Sequence, residues 1–288
     1  MEVGKPNDPT IVSGWLGRHL QNVQPRTPGA LLRGIDIAPG LAQTLVGAPQ
    51  TLPIADPGNF SIGGTPSTQT ARLAEIQADY STAPDTLRAA ALAATATVDL
   101  LKSVGFATYA PQNEAVYPNS SLGRGLKSVA ALIKADVGIE AAQLDTTNNW
   151  DTHAAQNPVS GTMNAIMVDF ANSLGAFWQD VIGPGTYPVT AVVVSEFGRN
   201  VRENGSLGTD HGRGTTMLAL GKGIAGGRVL VVNGWPGLAK ENLDSGQDLK
   251  VTVDYRDILA EIVQKRLENS NLSTVFPGWV PTFHGVTR

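Results

Sequence analysis

Two short stretches hold the residues best suited to chemistry: Asp151 and His153 in NNWDTHAAQ, and Asp210 and His211 in GSLGTDHGRG. The chain has four histidines, and two of them sit here beside carboxylates. Glu196, in SEFGR at the end of a valine run, adds another oxygen donor. With no cysteine in the chain, a metal must be held by oxygen and imidazole. That donor set suits Zn²⁺ first, then Mn²⁺ or Fe²⁺, and with several carboxylates Mg²⁺ or Ca²⁺. Asp151, His153, Glu196, Asp210 and His211 are therefore the expected ligands, with one position left open for water or substrate. Taken singly, an Asp-x-His or Asp-His pair serves more often as a capping or hydrogen-bonded loop pair. Two such pairs together strengthen the metal reading.

Arg199 and Arg213 have the forked geometry to hold a small anionic substrate. Ion pairs with Glu196, Glu203 or Asp210 are an equally good use for these arginines. Ser195 and Thr152 are hydroxyls adjacent to ligand candidates, a position commonly filled by loop hydrogen-bonding groups rather than nucleophiles. No G-x-S-x-G elbow occurs, which argues against a serine esterase of the common α/β type. His19 and His284, without acidic neighbours in the sequence, are expected to be structural.

Such residues need a scaffold that brings separate loops to one rim. Ile11, Trp15, Leu16 and Leu20 mark a short helix over 10–23, and residues 30–66 read as short strands and loops. Two Ala/Leu-rich helices are expected between 67 and 104, so that about 30–110 could form a cap or helical lobe within one domain spanning 1–288. Further on, SLGRGLKSVAALIKAD reads as a helix, VGIEAAQLD as a strand, and TTNNWDTHAAQNP as a loop. Met163, Ile166, Phe170, Leu174, Phe177 and Val181 repeat at helical spacing and predict a long helix over 161–182. YPVTAVVVSEFG then reads as a central strand buried on both faces, followed by strands at TTMLALG and GRVLVV and a helix over 254–267. The expected class is α/β, with a mostly parallel, doubly wound sheet and helices on both faces. Ligands bind such sheets at the carboxyl ends of the strands, where Asp151, His153 and Glu196 are expected, with Asp210 and His211 on a loop that returns from that edge or crosses beneath it.

Composition narrows the partners. With 288 residues and 42% hydrophobic content there is enough chain for a substantial core. A net charge of −4 and only 16% charged residues give no attraction to nucleic acid or an anionic membrane. No apolar run reads as a bilayer span, and MEVGKPNDPT lacks a basic-then-apolar secretory pattern. GKGIAG (221–226) matches a dinucleotide fingerprint only formally, because a strand pattern rather than a helix follows it. A sugar- or surface-binding module would need exposed aromatics, and aromatics are 6% of the chain with most on core-like stripes.

GWLGR, YPNSSLGRGLKSVAALIKAD, NNWDTHAAQ, VVVSEFGRNVRENGSLGTDHGRGTTMLALGKGIAGGRV, DYRDILAEI and VFPGW together resemble the family called domain of unknown function fifteen-oh-one. That family looks like a branch of the alkaline phosphatase and sulfatase superfamily of metal-dependent hydrolases. The resemblance implies an alkaline-phosphatase-like fold, hydrolysis of a small phosphate or sulfate ester, and a periplasmic or exported setting. It also implies that Asp151 and His153 hold a metal together with His211. Where relatives end a strand with Ser-Asp-His-Gly, this chain has Ser195-Glu196-Phe197-Gly198, so one metal position is weakened. Three arrangements fit that departure: Asp210 compensates, the site holds a single metal, or Asp210-His211 is itself the superfamily pair. Relatives also carry an earlier strand with a ligand and the nucleophile, so the chain is expected to be an amino-terminally truncated form. Self-association through the exposed sheet edge would follow. The alternative is a non-catalytic exported envelope protein that keeps the fold and a metal or partner-binding site.

Overall fold

The computed structural model describes residues 1–6, 8–146 and 149–288; Thr147 and Asn148, in the loop expected before Asp151, lie outside the described residues. In chain order the main elements are α1 (Trp15–Asn22), β1 (Gly34–Asp36), β2 (Thr51–Pro53), α2 (Gln69–Asp79), α3 (Asp85–Val104) and α4 (Ser121–Lys134). They continue with β3 (Ala141–Gln143), α5 (Thr162–Phe177), β4 (Thr190–Val193), β5 (Gly198–Arg199), β6 (His211–Gly212), β7 (Leu218–Gly221), α6 (Tyr255–Lys265) and α7 (Leu272–Val275).

The architecture is α/β, with a small parallel sheet of order β2-β1-β3. β1 is its middle strand, with Ile35 opposite Leu52 on one side and Ala142 on the other. The continuous doubly wound sheet expected from the sequence is not formed among the described residues. The valine run instead pairs antiparallel with β7, Val192 opposite Ala219 and Val193 opposite Leu218. A second antiparallel ribbon joins β5 to β6, and the GRVLVV stretch is irregular chain. A run of β-branched residues buried on two faces looks the same whether its partner runs parallel or antiparallel. The burial is two-sided here: Val189, Ala191 and Leu220 pack on one core cluster, and Val192, Met217 and Ala219 on another.

Two helices dominate the packing around these sheets. The Ser120 side chain accepts from the Gly123 amide and caps α4, whose Leu122, Leu126, Val129 and Ala130 form one buried stripe. That stripe meets Phe177, Val181 and Ile182 at the end of α5, where the helix closes with a wider π turn over Trp178–Ile182. Leu144, just past β3, packs against this same cluster, so the chain leaves the sheet at a fixed point before Asp151. On the other face Asp254 caps α6 by accepting from the Arg256 amide, and α6 covers β4 and β7 through Ile258 and Ile262. Two buried carboxylates of α6 tie down the carboxyl-terminal tail. Glu261 accepts from the Thr287 and His284 amides, and Asp257 from Trp279 Nε1 and the Thr282 amide.

Of the 30–110 stretch, β1 and β2 lie inside the parallel sheet, while α2 and the first half of α3 are largely exposed. The segment Asp85–Thr108 has the length and mean hydropathy (1.3) of a membrane-crossing helix, a feature the sequence reading passed over. Its alanines, seven of them, outnumber its four leucines. Its second half buries Thr95, Thr97, Val98 and Leu101, and Leu101 joins Leu32, Ile35, Ile54 and Leu132 in a globular core cluster.

Candidate metal centre

The loop after β3 carries Asp151 and His153, and β6 carries His211. Backbone hydrogen bonds join the first loop to the segment ahead of β6. Ala155 donates to Ser206 O, Gln156 to Leu207 O, and Thr209 to Thr152 O. The approach is so close that a Cβ on Gly208 would lie 2.2 Å from the His153 carbonyl carbon, so a glycine is needed there. β5 then pairs with β6, Arg199 opposite His211, which sets the second histidine beside the first loop.

The result is a convergence on one carboxylate oxygen. Asp151 Oδ1 lies 2.6 Å from His211 Nε2 and 3.0 Å from His153 Nε2. One ligand atom from each of Asp151, His153 and His211 falls within 4.8 Å of the others, and all three side chains are exposed. The imidazole rings are stacked with centroids 5.0 Å apart, and Phe197 stacks nearly parallel on His211 at 4.2 Å. The other nitrogen of His153, Nδ1, lies 3.0 Å from Asp210 Oδ1. The hydrogen bond from His211 holds the Asp151 carboxyl below the usual carboxylate range, with the charges of His153, His211 and Arg199 acting the same way. Asp210 is held low by its hydrogen bonds with His153 and Asn204.

The donor set fits a divalent ion. Tetrahedral ligands at about 2.0–2.2 Å from a metal sit roughly 3.3–3.6 Å apart. The nitrogens need to move less than about 1 Å away from Asp151 Oδ1 to reach that spacing, and exposed side chains do so by small rotations. Three protein ligands with an exposed fourth side is also the arrangement that leaves a position open.

The five candidate ligands are not brought together equally. Asp210 lies behind His153, on the nitrogen facing away from Asp151. Glu196 is exposed and lies outside the converging group. Arg199 is committed to the scaffold, its guanidinium donating to Trp150 O, Thr209 O and Asp151 Oδ1 and lying over the Phe197 ring. Arg213, 75% exposed, faces Asp244 at 3.4 Å. Neither adjacent hydroxyl is presented to the rim as a free, accessible group: Thr152 Oγ1 is buried and has no hydrogen-bond partner, and Ser195 Oγ donates to Phe197 O at 2.8 Å. His19 is buried beside Asn269, while His284 has the acidic partner in space, Asp257, that its sequence neighbourhood lacked. Asn204, which the sequence reading missed, bonds to both Asp210 and the His153 carbonyl.

The model of a family described as "Protein of unknown function (DUF1501)" matches residues 4–266. The chain belongs to this family. Comparison with curated proteins and with solved structures gives no match. The DUF1501 match spans every residue of the converging cluster, along with β5, β6 and Asn204.

Proposed function

We propose that this DUF1501 chain binds one divalent transition metal, Zn²⁺ first, through Asp151, His153 and His211, and that the site is of the metal-dependent ester hydrolase kind. The observation that carries the reading is the convergence of two Nε2 atoms on Asp151 Oδ1 at an exposed rim. An ion held there supplies Lewis acidity and lowers the pKa of water at its open position. The protein's own part is to orient both imidazoles, through Asp210 behind one and Phe197 against the other, and to keep one side accessible. A small phosphate or sulfate ester is the substrate class, following the family's likeness to the alkaline phosphatase superfamily. Because the Ser195 hydroxyl is engaged with Phe197 O and the Thr152 hydroxyl is buried, the attacking group in this reading is water.

A second reading has its own support. The arginine best placed for an anion, Arg199, is occupied, which suits a non-catalytic exported protein that keeps the metal for stability or for holding a partner. One experiment tests the metal and separates the two readings. Saturating Zn²⁺ should raise the melting temperature by mass action, and the double change His153→Ala and His211→Ala should abolish the rise. An equal rise in the double variant places the metal elsewhere. Chelator-sensitive turnover of an aryl phosphate or aryl sulfate, lost in Asp151→Ala, selects the hydrolase; metal binding without turnover selects the second reading.

A further inference from the structure

His153 has a carboxylate at each ring nitrogen, Asp151 at Nε2 and Asp210 at Nδ1, both at 3.0 Å. A neutral imidazole has one proton to give, so the two carboxylates compete for it. Only if the proton stays on Nδ1 does Nε2 keep the lone pair a metal needs. Asp151 Oδ1 already receives His211 and Arg199, which weakens its claim. Asp210 wins if it is held in place, and the side chain that holds it is Asn204.

We propose that Asn204 is a positioning residue that fixes the tautomer of His153 by holding Asp210 against Nδ1, leaving Nε2 as the ligating nitrogen; this rests on the metal reading above. Asn204 uses both ends of its amide. Nδ2 donates to Asp210 Oδ1 and to the His153 carbonyl, each at 2.9 Å. Oδ1 accepts from the Ser206 amide at 2.9 Å and the Gly208 amide at 3.2 Å, which shapes the turn carrying Asp210. The two halves therefore do separable work: the acceptor builds the turn, and the donor aims the carboxylate. Aspartate in this place keeps the acceptor and loses the donor, setting a second negative charge against Asp210.

The test uses the full chain with ¹⁵N-labelled histidine rings, freed of metal, in alkaline buffer, with His153 resonances assigned by their loss in His153→Ala. Wild type should show His153 as one tautomer, protonated at Nδ1. Asn204→Asp should convert it to a mixture, while slow exchange of the Ser206 and Gly208 amides shows the turn intact. Zn²⁺ affinity by calorimetry should fall roughly 10–100-fold, the usual effect of removing an outer partner of a ligating histidine. Asn204→Ser, which keeps a short donor, should recover part of that loss. A single Nδ1-protonated tautomer persisting in Asn204→Asp overturns the proposal, as does an Nε2-protonated His153 in wild type. If wild type shows the expected tautomer and Asn204→Asp changes it, yet Zn²⁺ does not bind wild type, the metal reading falls and the positioning role stands.

Discussion

Asp151 Oδ1 lies within 3.0 Å of nitrogens from His153, His211 and Arg199, so the orientation of its two imidazoles depends on what lies behind them. For His211 that support is the Phe197 ring, parallel to within 9°. An aromatic pair of this kind contributes about 0.5–1.5 kcal/mol beyond its buried area. Phe197→Ala should therefore weaken Zn²⁺ binding about 2–12-fold by calorimetry, and Phe197→Trp, which keeps a stacking face, should bind close to wild type. Equal affinities for the alanine variant and wild type would remove Phe197 from the site. The members of the Asp151, His153 and His211 cluster were legible in the sequence, because WDTH and GTDHG put half the histidines beside carboxylates. The role of Phe197 was not, since the resemblance to phosphatase-type sequences made it read as a lost ligand until its ring is seen against His211. Glu196 looked equal to the others in sequence, because a position at a strand end does not say which candidates converge, and the converging group is Asp151, His153 and His211.

At the level of elements, two loops some fifty residues apart in sequence must be held within backbone hydrogen-bonding distance, and Gly208 is where they come closest. Gly208→Ala puts a methyl into the His153 carbonyl, and backbone on both sides leaves little room to yield. The expected result is loss of the Zn²⁺-induced rise in melting temperature with the core helices retained by circular dichroism. Unchanged metal stabilisation would mean that the loops adjust more cheaply than this geometry implies. The helices were readable because α4 and α6 carry both a stripe and a capping residue, Ser120 and Asp254. The direction of β4 was not, because periodicity records burial and not the sense of the partner strand. β5 and β6, two residues each, have no pattern to read, yet they set His211 beside the first loop.

Across the whole molecule, the charged and titratable groups inside the core make stability depend on pH, and His19 on α1 gives the most isolated case. Burial pushes its pKa from 6.5 down to about 4, and neighbouring Arg33 and Arg26 act in the same direction against the opposing charge of Glu140. The Asn269 amide lies 3.1 Å from Nδ1 and suits the neutral ring. The folded chain therefore binds fewer protons at this site than the unfolded chain between those two pKa values, so stability rises with pH there. Its contribution is fully present above 6.5 and is lost as pH falls toward 4. Glu261 acts lower down. Burial alone would raise its pKa, but the amides of Thr287, Val286 and His284 and the Thr287 hydroxyl bring it from 4.5 to about 2. Its contribution is present above 4.5 and is lost as pH falls toward 2. Denaturant unfolding in chelator, at steps of pH, separates the two. In the upper window wild type should lose stability relative to His19→Gln, with a slope of up to about 1.4 kcal/mol per pH unit. Below the folded pKa of His19 the difference between the two chains should level off, while Glu261→Gln should flatten only the lower window. Parallel curves for wild type and His19→Gln across the upper window would show that His19 is protonated in the folded chain, with its buried environment rearranged to admit the charge.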